Sequence, residues 1–165
     1  MRSRQDFEDY ARDITPGLLR RARLLCRDEH RAEDLVQETL ARLYRGRRRI
    51  DEGRNPTGYA HTVLFNVFLE QARRRSSSEL ALADPVPPPS PDPTDEVDRR
   101  LLLEAALQRL GETERIAVVA RYLDDRPVKE VAQLTGRSEA WVRTTCHRAL
   151  ERMRPYATAT EEALR

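Results

Sequence analysis

Aromatic residues and cysteine are scarce in this chain of 165 residues. Aromatic side chains make up only 5% of it, so any hydrophobic core is aliphatic and modest. Two small helical units fit this composition better than one large domain. The two cysteines, Cys26 and Cys146, are too few for a disulfide framework, and both fall on predicted apolar helix faces. We therefore expect a protein of a reducing cytoplasm.

Membrane and catalytic signatures are also missing from the sequence. It has no apolar run long enough to cross a bilayer, and we expect neither a signal peptide nor membrane insertion. It has no glycine-rich phosphate loop, no zinc-protease pair and no nucleophile beside a base. Cys26 and His30 have the spacing of a helical metal pair, but no second pair accompanies them. We predict no catalytic residue, no metal and no cofactor, and hence a protein that is not an enzyme.

Charge is dense and unevenly distributed. Residues 1–75 hold seventeen basic and twelve acidic side chains, residues 76–104 hold two and seven, and residues 105–165 hold eleven and nine. Two basic blocks therefore flank an acidic connector. Lys129 is the only lysine; arginine is the better bidentate ligand for phosphate, although a GC-rich genome produces the same preference.

Proline divides the chain. Six of the ten prolines lie between Pro85 and Pro93, where they favour an extended spacer that builds no core. The predicted fold class is all-α: two small helical domains joined by a proline-rich acidic linker, the second containing a helix-turn-helix. The boundaries are 1–75 for the first domain, 76–94 for the linker, 95–155 for the second domain and 156–165 for a tail without assigned role.

Residues 128–154 have the pattern of two helices joined by a tight turn. Gly136 tolerates the left-handed backbone of such a turn, and Ser138 is placed to cap the next helix. The second helix directs one apolar face at the core, comprising Val142, Cys146, Ala149, Leu150 and Met153. Its other side presents Arg143, Thr144, His147 and Arg148, which suits a DNA groove, although any amphipathic hairpin shows the same periodicity.

The other helices follow from caps, breakers and apolar spacing. Predicted helices span 4–14, Thr15 to Cys26 with Pro16 in the first turn, 30–44, Asn55 to the arginines at 73–75, Asp95 to a stop at Gly111, and Thr113 to Leu123. In the fourth of these, rings at Tyr59, His61, Phe65 and Phe68 lie near Arg73, Arg74 and Arg75, with the amide of Asn66 among them. Rings and cations together suit unstacked bases and their phosphates, although each ring alone also fits a core position.

Taken together, these segments resemble the bacterial sigma factors of the extracytoplasmic-function type, in the actinobacterial style. RAEDLVQETLARLYR resembles the core-binding segment of that family, and PTGYAHTVLFNVFLEQARRR resembles its promoter-melting and minus-ten segment. ALQRLGETERIAVVARYLDD with the helix-turn-helix resembles its minus-thirty-five domain. Arg137, Trp141 and the pair His61 and Thr62 depart from the family pattern, which leaves the promoter sequence open.

The resemblance implies a transcription initiation factor that binds core RNA polymerase through the beta-prime clamp helices and the beta subunit, and that recognises promoter DNA. The implied polymerase contacts are Asp34, Leu35, Gln37 and Glu38. The implied minus-ten and melting residues are Tyr59, His61, Phe65, Asn66, Arg73, Arg74 and Arg75, and the implied minus-thirty-five residues are Ser138, Arg143, Thr144, His147 and Arg148. An anti-sigma factor is a further partner that only the family suggests. The main alternative is a stand-alone helix-turn-helix repressor or activator.

Overall fold

The computed structural model describes residues 4–51, 55–78 and 96–163, and all regular structure in those ranges is helical. The chain divides into two compact units between Ser78 and Glu79. The all-α fold class is thereby confirmed. Residues 76–78 of the predicted linker are the end of a helix, and the rest of that linker lies outside the described residues.

The first unit contains α1 (Arg4–Leu25), α2 (Glu29–Arg45), the short α3 (Arg47–Asp51) and α4 (Pro56–Ser78). Helices α1, α2 and α4 pack against one another in all three pairings. Their shared core has large side chains that are almost fully buried, among them Leu18, Leu25, Leu35, Leu43, Leu64, Phe65 and Phe68. Burial of this apolar surface is the main stabilising contribution in a unit of this size.

Helix α1 is continuous, so the prediction of two helices meeting at Thr15 and Pro16 is wrong. Ile14 and Leu18 are both buried and lie one turn apart, on the stripe that also buries Ala22. A break at Pro16 would turn half of this stripe away from the core. Pro16 instead sits on the exposed side, where the loss of one backbone hydrogen bond is tolerated.

The start of α4 at Asn55 and Pro56 is as predicted. The Asn55 side chain accepts a hydrogen bond from the Gly58 N–H at 2.9 Å, which caps the helix. The Tyr10 hydroxyl of α1 donates to the Pro56 carbonyl at 2.8 Å, which fastens the first turn of α4 to α1. Burial, with a smaller contribution from nearby Tyr59, raises the pKa of Tyr10 to about 12.

The second unit contains α5 (Glu96–Gln108), α6 (Glu112–Val118), α7 (Val128–Thr135) and α8 (Glu139–Ala163). Helix α8 packs against the other three, around a core that includes Leu107, Ile116, Val131, Val142 and Cys146. The four predicted helices are confirmed. Residues 156–163 belong to α8 rather than to a separate tail, and residues 164–165 and the predicted cap at Asp95 lie outside the described residues.

Gly111 does not stop α5 as predicted; it is the N-cap of α6. Its φ of −60° is an ordinary value, and its N–H donates to Glu114 at 3.0 Å. The end of α5 is capped instead by Arg115, whose buried guanidinium donates to the carbonyls of Leu107 and Leu110, each at 2.9 Å. The Leu107 carbonyl also accepts from the Leu110 N–H at 3.0 Å, so Arg115 adds a second donor there and places a cation where it complements the helix dipole.

Between α6 and α7 the chain forms a π-helical turn over Val119–Leu123, which the sequence analysis did not predict. The Asp124 N–H donates to the Val119 carbonyl at 3.2 Å, and Asp125 has a φ of 51°. Tyr122 and Leu123, at the end of this turn, are substantially exposed. None of the described helices has both the length and the apolarity needed to span a membrane.

Candidate nucleic-acid interface

The helix-turn-helix has the geometry that its sequence predicts. Gly136 adopts a left-handed conformation with a φ of 66°, and its N–H donates to the Ala132 carbonyl at the end of α7. The Ser138 hydroxyl accepts from the Trp141 N–H at 3.1 Å and caps α8. Both the turn and the cap are therefore confirmed, and they fix the angle at which α8 leaves α7.

One face of α8 is available to a partner. Val142, Cys146 and Ala149 are buried, whereas the five residues predicted to contact duplex DNA are all exposed: Ser138, Arg143, Thr144, His147 and Arg148. Arg143 pairs with Glu139 at 3.0 Å and His147 lies 3.5 Å from Glu151, both on the helix surface. Exposed pairs of this kind are weak, so a stronger anionic ligand displaces them at little cost.

Leu150 was predicted to face the core, and that prediction is wrong because the side chain is 43% exposed. It lines an open groove of about 340 Å³ together with Tyr122, Val128 and Cys146. Burial raises the pKa of the Cys146 thiol above its ordinary value.

At the turn itself, the Arg137 guanidinium lies over the Trp141 ring, 5.3 Å from the ring centroid. Arg137 is exposed and Trp141 is half-buried. These are two of the residues at which the sequence departs from the family pattern. The structure brings them into one cation–π pair, which the sequence pattern did not indicate.

In the first unit, four polar side chains join α2 to α4. Arg42 donates to Glu38 at 2.6 Å and to both oxygens of Glu70, at 2.8 and 2.7 Å, and Gln71 donates to the second oxygen of Glu38 at 2.9 Å. The Gln71 amide first, and then Arg42, hold the pKa of Glu38 below its ordinary value, and Arg42 does the same for Glu70. We call these four residues the Arg42 cluster.

The four residues predicted to contact polymerase differ in exposure. Asp34 and Gln37 are exposed on α2, while Glu38 is committed to the Arg42 cluster. Leu35 is fully buried, so its predicted place on a contact surface is wrong. Leu35 instead packs in the core of the first unit, because it lies on the apolar stripe of α2.

The residues predicted to bind melted DNA also differ in exposure. In the run 64–69, Asn66 is exposed and the other five residues are buried. Phe65 is one of those five, with no exposed surface, so its predicted role as a surface ring is wrong. It fills the core because α4 is packed against both α1 and α2, which buries a wide arc of the helix. Tyr59 and His61 are half-buried one to two turns before Asn66.

The end of α4 is basic, as its sequence predicts. Arg73 and Arg74 are exposed, and Arg75 is half-buried with its guanidinium 5.9 Å from the centroid of the Phe68 ring. Arg74 also contributes to lowering the pKa of both Glu38 and Glu70. The exposed amide of Asn66 and this cluster of cations thus lie on the same helix, two to three turns apart.

The fold and these surfaces define a class of protein: an all-helical DNA-binding protein with a helix-turn-helix in its second unit and a basic helical surface in its first. Comparison with known families agrees unit by unit. Residues 7–78 match Sigma-70 region 2, and residues 100–153 match Sigma-70 region 4.

Known relatives extend this match along the chain. It is 34% identical over 156 residues to the RNA polymerase sigma-E factor of Streptomyces coelicolor, covering 94% of this chain and 88% of that protein. It is 31% identical over 157 residues to the ECF RNA polymerase sigma factor SigE of Mycolicibacterium smegmatis, covering 91% of this chain and 61% of that protein. The chain therefore belongs to the sigma-70 family, among the sigma factors of the extracytoplasmic-function type.

A solved structure gives the same fold. The sigma factor RpoE, in complex with the anti-sigma factor NepR from Bartonella quintana, matches with a TM-score of 0.66 at 23% identity, over 93% of this chain and 98% of that one. Family membership establishes the activity: the protein is a transcription initiation factor that binds core RNA polymerase and directs it to specific promoters. The family is a non-enzymatic one.

Proposed function

We propose that the two units divide the work of initiation between a polymerase-binding and DNA-melting unit and a unit that reads duplex DNA. In the first unit, Asp34 and Gln37 meet the beta-prime clamp helices, because they are the exposed members of the predicted set. Leu35 stabilises the position of α2 by packing in the core, and Glu38 does so by accepting a hydrogen bond from Arg42. The beta subunit is a second polymerase contact for the factor.

Asn66 captures a base of the non-template strand that leaves the stack during melting. Its isolated exposure on an otherwise buried stretch of α4 is the observation that carries this proposal. An amide both donates and accepts, so it can read the edge of an unstacked base. Tyr59 and His61 provide ring surfaces nearby, and Arg73, Arg74 and Arg75 bind the phosphates that follow.

In the second unit, α8 enters the major groove of the minus-thirty-five element. Arg143, Thr144, His147 and Arg148 present side chains to base edges and phosphates, and Ser138 fixes the start of the helix. Such a factor works beside the polymerase in the cytoplasm. An anti-sigma factor, like the one bound to the Bartonella quintana protein, is a fitting inhibitory partner.

The proposal is tested by selection from random-sequence duplex DNA with core RNA polymerase reconstituted with this chain. The expected result is a set of templates that share two elements at a fixed spacing and that yield transcripts. Arg148→Ala should relax the preference in the upstream element and leave the downstream element unchanged. Enrichment of a single element by the chain without polymerase would instead support a stand-alone regulator.

A further inference from the structure

The Arg137 and Trp141 pair lies where the recognition helix begins, outside the set of residues assigned to base contacts. The Arg137 guanidinium carbon lies over the indole ring, 5.3 Å from the ring centroid, which is a cation–π contact. A cation–π contact engages the charge of the guanidinium through the ring and does not use its N–H groups as conventional hydrogen-bond donors. Those N–H groups have the fork geometry that binds phosphate oxygens in pairs.

The electrostatic surroundings of Arg137 favour an anion. α8 begins at Glu139, two residues after Arg137, and the amino end of a long helix carries a partial positive charge. The nearest carboxylate in sequence, Glu139, is engaged by Arg143 at 3.0 Å. The αL turn at Gly136 and the Ser138 cap hold this corner in one conformation, so binding orders little that is not ordered already.

We infer that Arg137, held on the Trp141 ring, binds a backbone phosphate of the duplex that α8 enters. The contact adds affinity without reading sequence, and it sets how deeply the amino end of α8 sits in the groove. Arg137 stands in place of the residue that the family usually has after the turn glycine. Its phosphate contact therefore adds duplex affinity that the base contacts do not supply. This inference rests on the proposed function of the second unit.

The test uses the full chain assembled with core polymerase, and as probe a duplex selected from a random pool by the wild-type holoenzyme. Affinity is measured across a range of salt concentrations. Arg137→Ala should weaken binding by roughly five- to tenfold near 0.1 M monovalent salt, and should reduce the slope of log affinity against log salt by about 0.9, the value of one phosphate contact. Arg100→Ala, which removes one exposed arginine from α5 in the same unit, is the matched control and should leave the slope unchanged.

A second pair of variants separates phosphate binding from stiffening of the turn. Trp141→Phe keeps a ring and should retain most of the affinity, whereas Trp141→Ala should lose part of the Arg137 contribution, so that the two alanine changes are not additive. A wild-type slope in Arg137→Ala, whether or not the variant melts at a lower temperature, would overturn the inference while leaving the proposed function intact. If the wild-type holoenzyme selects no duplex at all, the proposed function fails and the inference falls with it.

Discussion

Arg42 of α2 donates hydrogen bonds to both carboxylate oxygens of Glu70 of α4, from Nη1 to Oε1 at 2.8 Å and from Nη2 to Oε2 at 2.7 Å. The same Nη2 also donates to Glu38 at 2.6 Å. One guanidinium therefore fixes the helix proposed to bind polymerase against the helix proposed to bind melted DNA. Bidentate pairs of this kind impose orientation as well as adding free energy.

Replacing Arg42 with alanine removes this link and leaves two carboxylates close together without the cation between them. Because the cluster is partly exposed, we expect the free energy of unfolding to fall by only about 1–2 kcal/mol. Chemical denaturation of the purified chain measures the change. Arg12→Ala, which breaks an exposed pair with Asp9 within α1, is the control and should cost clearly less. Equal effects of the two changes would contradict a linking role for Arg42.

Acid should weaken the same link. The pKa values of Glu38 and Glu70 lie below their ordinary value of 4.5 in the folded protein, so both carboxylates bind protons more readily when the chain unfolds. Their contribution to stability is complete above that ordinary value and is lost as the pH falls through the lowered values. Between pH 5 and pH 3 the wild type should lose more unfolding free energy than Arg42→Ala. Parallel pH profiles for the two proteins would refute the assignment.

Two glycines should respond in opposite directions to replacement by alanine. At Gly136 the φ of 66° is strained for any L side chain, although a Cβ would meet no neighbouring atom, so alanine should destabilise the protein by about 1 kcal/mol. Gly17 lies within α1, where an added Cβ makes only ordinary contact, and alanine there should stabilise by up to about 1 kcal/mol. Thermal unfolding of both variants measures the two changes in stability. A loss of stability in Gly17→Ala, without a loss in Gly136→Ala, would contradict the prediction.

Asn66→Ala should separate two steps of initiation. Because Asn66 is exposed within a buried stretch, the change should leave the fold and polymerase binding nearly intact while it impairs strand opening. Opening is followed by the fluorescence of 2-aminopurine in the minus-ten element, and polymerase binding by co-purification. Equal loss of both would show that Asn66 supports the fold or the polymerase contact rather than the melted strand.

Most of the fold could be predicted from local sequence patterns. The turn at Gly136, the cap at Ser138 and the start of α4 at Pro56 are determined by one or two residues each, so they could be predicted. The continuity of α1 through Pro16 could not, because it depends on a core to which α2 and α4 also contribute. The same holds for Phe65, since periodicity places a ring on a helix face but does not reveal how many partners cover that face.

The candidate site shows a similar division. The exposed residues Asp34, Asn66 and Arg148 follow from position on a helix face. The contacts between Arg42 and Glu70 and between Arg115 and the end of α5 join residues from different helices. The sequence indicates one partner of Arg42, because Glu38 lies four residues before it on the same helix. Nothing in that spacing indicates the second carboxylate across the interface.

Binding of core polymerase through the exposed face of α2 is the central claim, and a charge reversal at Asp34 tests it most directly. Asp34 is preferable to Glu38, because reversing Glu38 would also disrupt the Arg42 cluster and loosen α2 from α4. The measurement is co-purification of the chain with core RNA polymerase, comparing wild type, Asp34→Arg and, as a control on α1, Asp13→Arg. Binding by the wild type and by Asp13→Arg, with loss in Asp34→Arg while its unfolding transition stays in place, is the predicted result. Retention of Asp34→Arg on polymerase at the wild-type level would contradict the account.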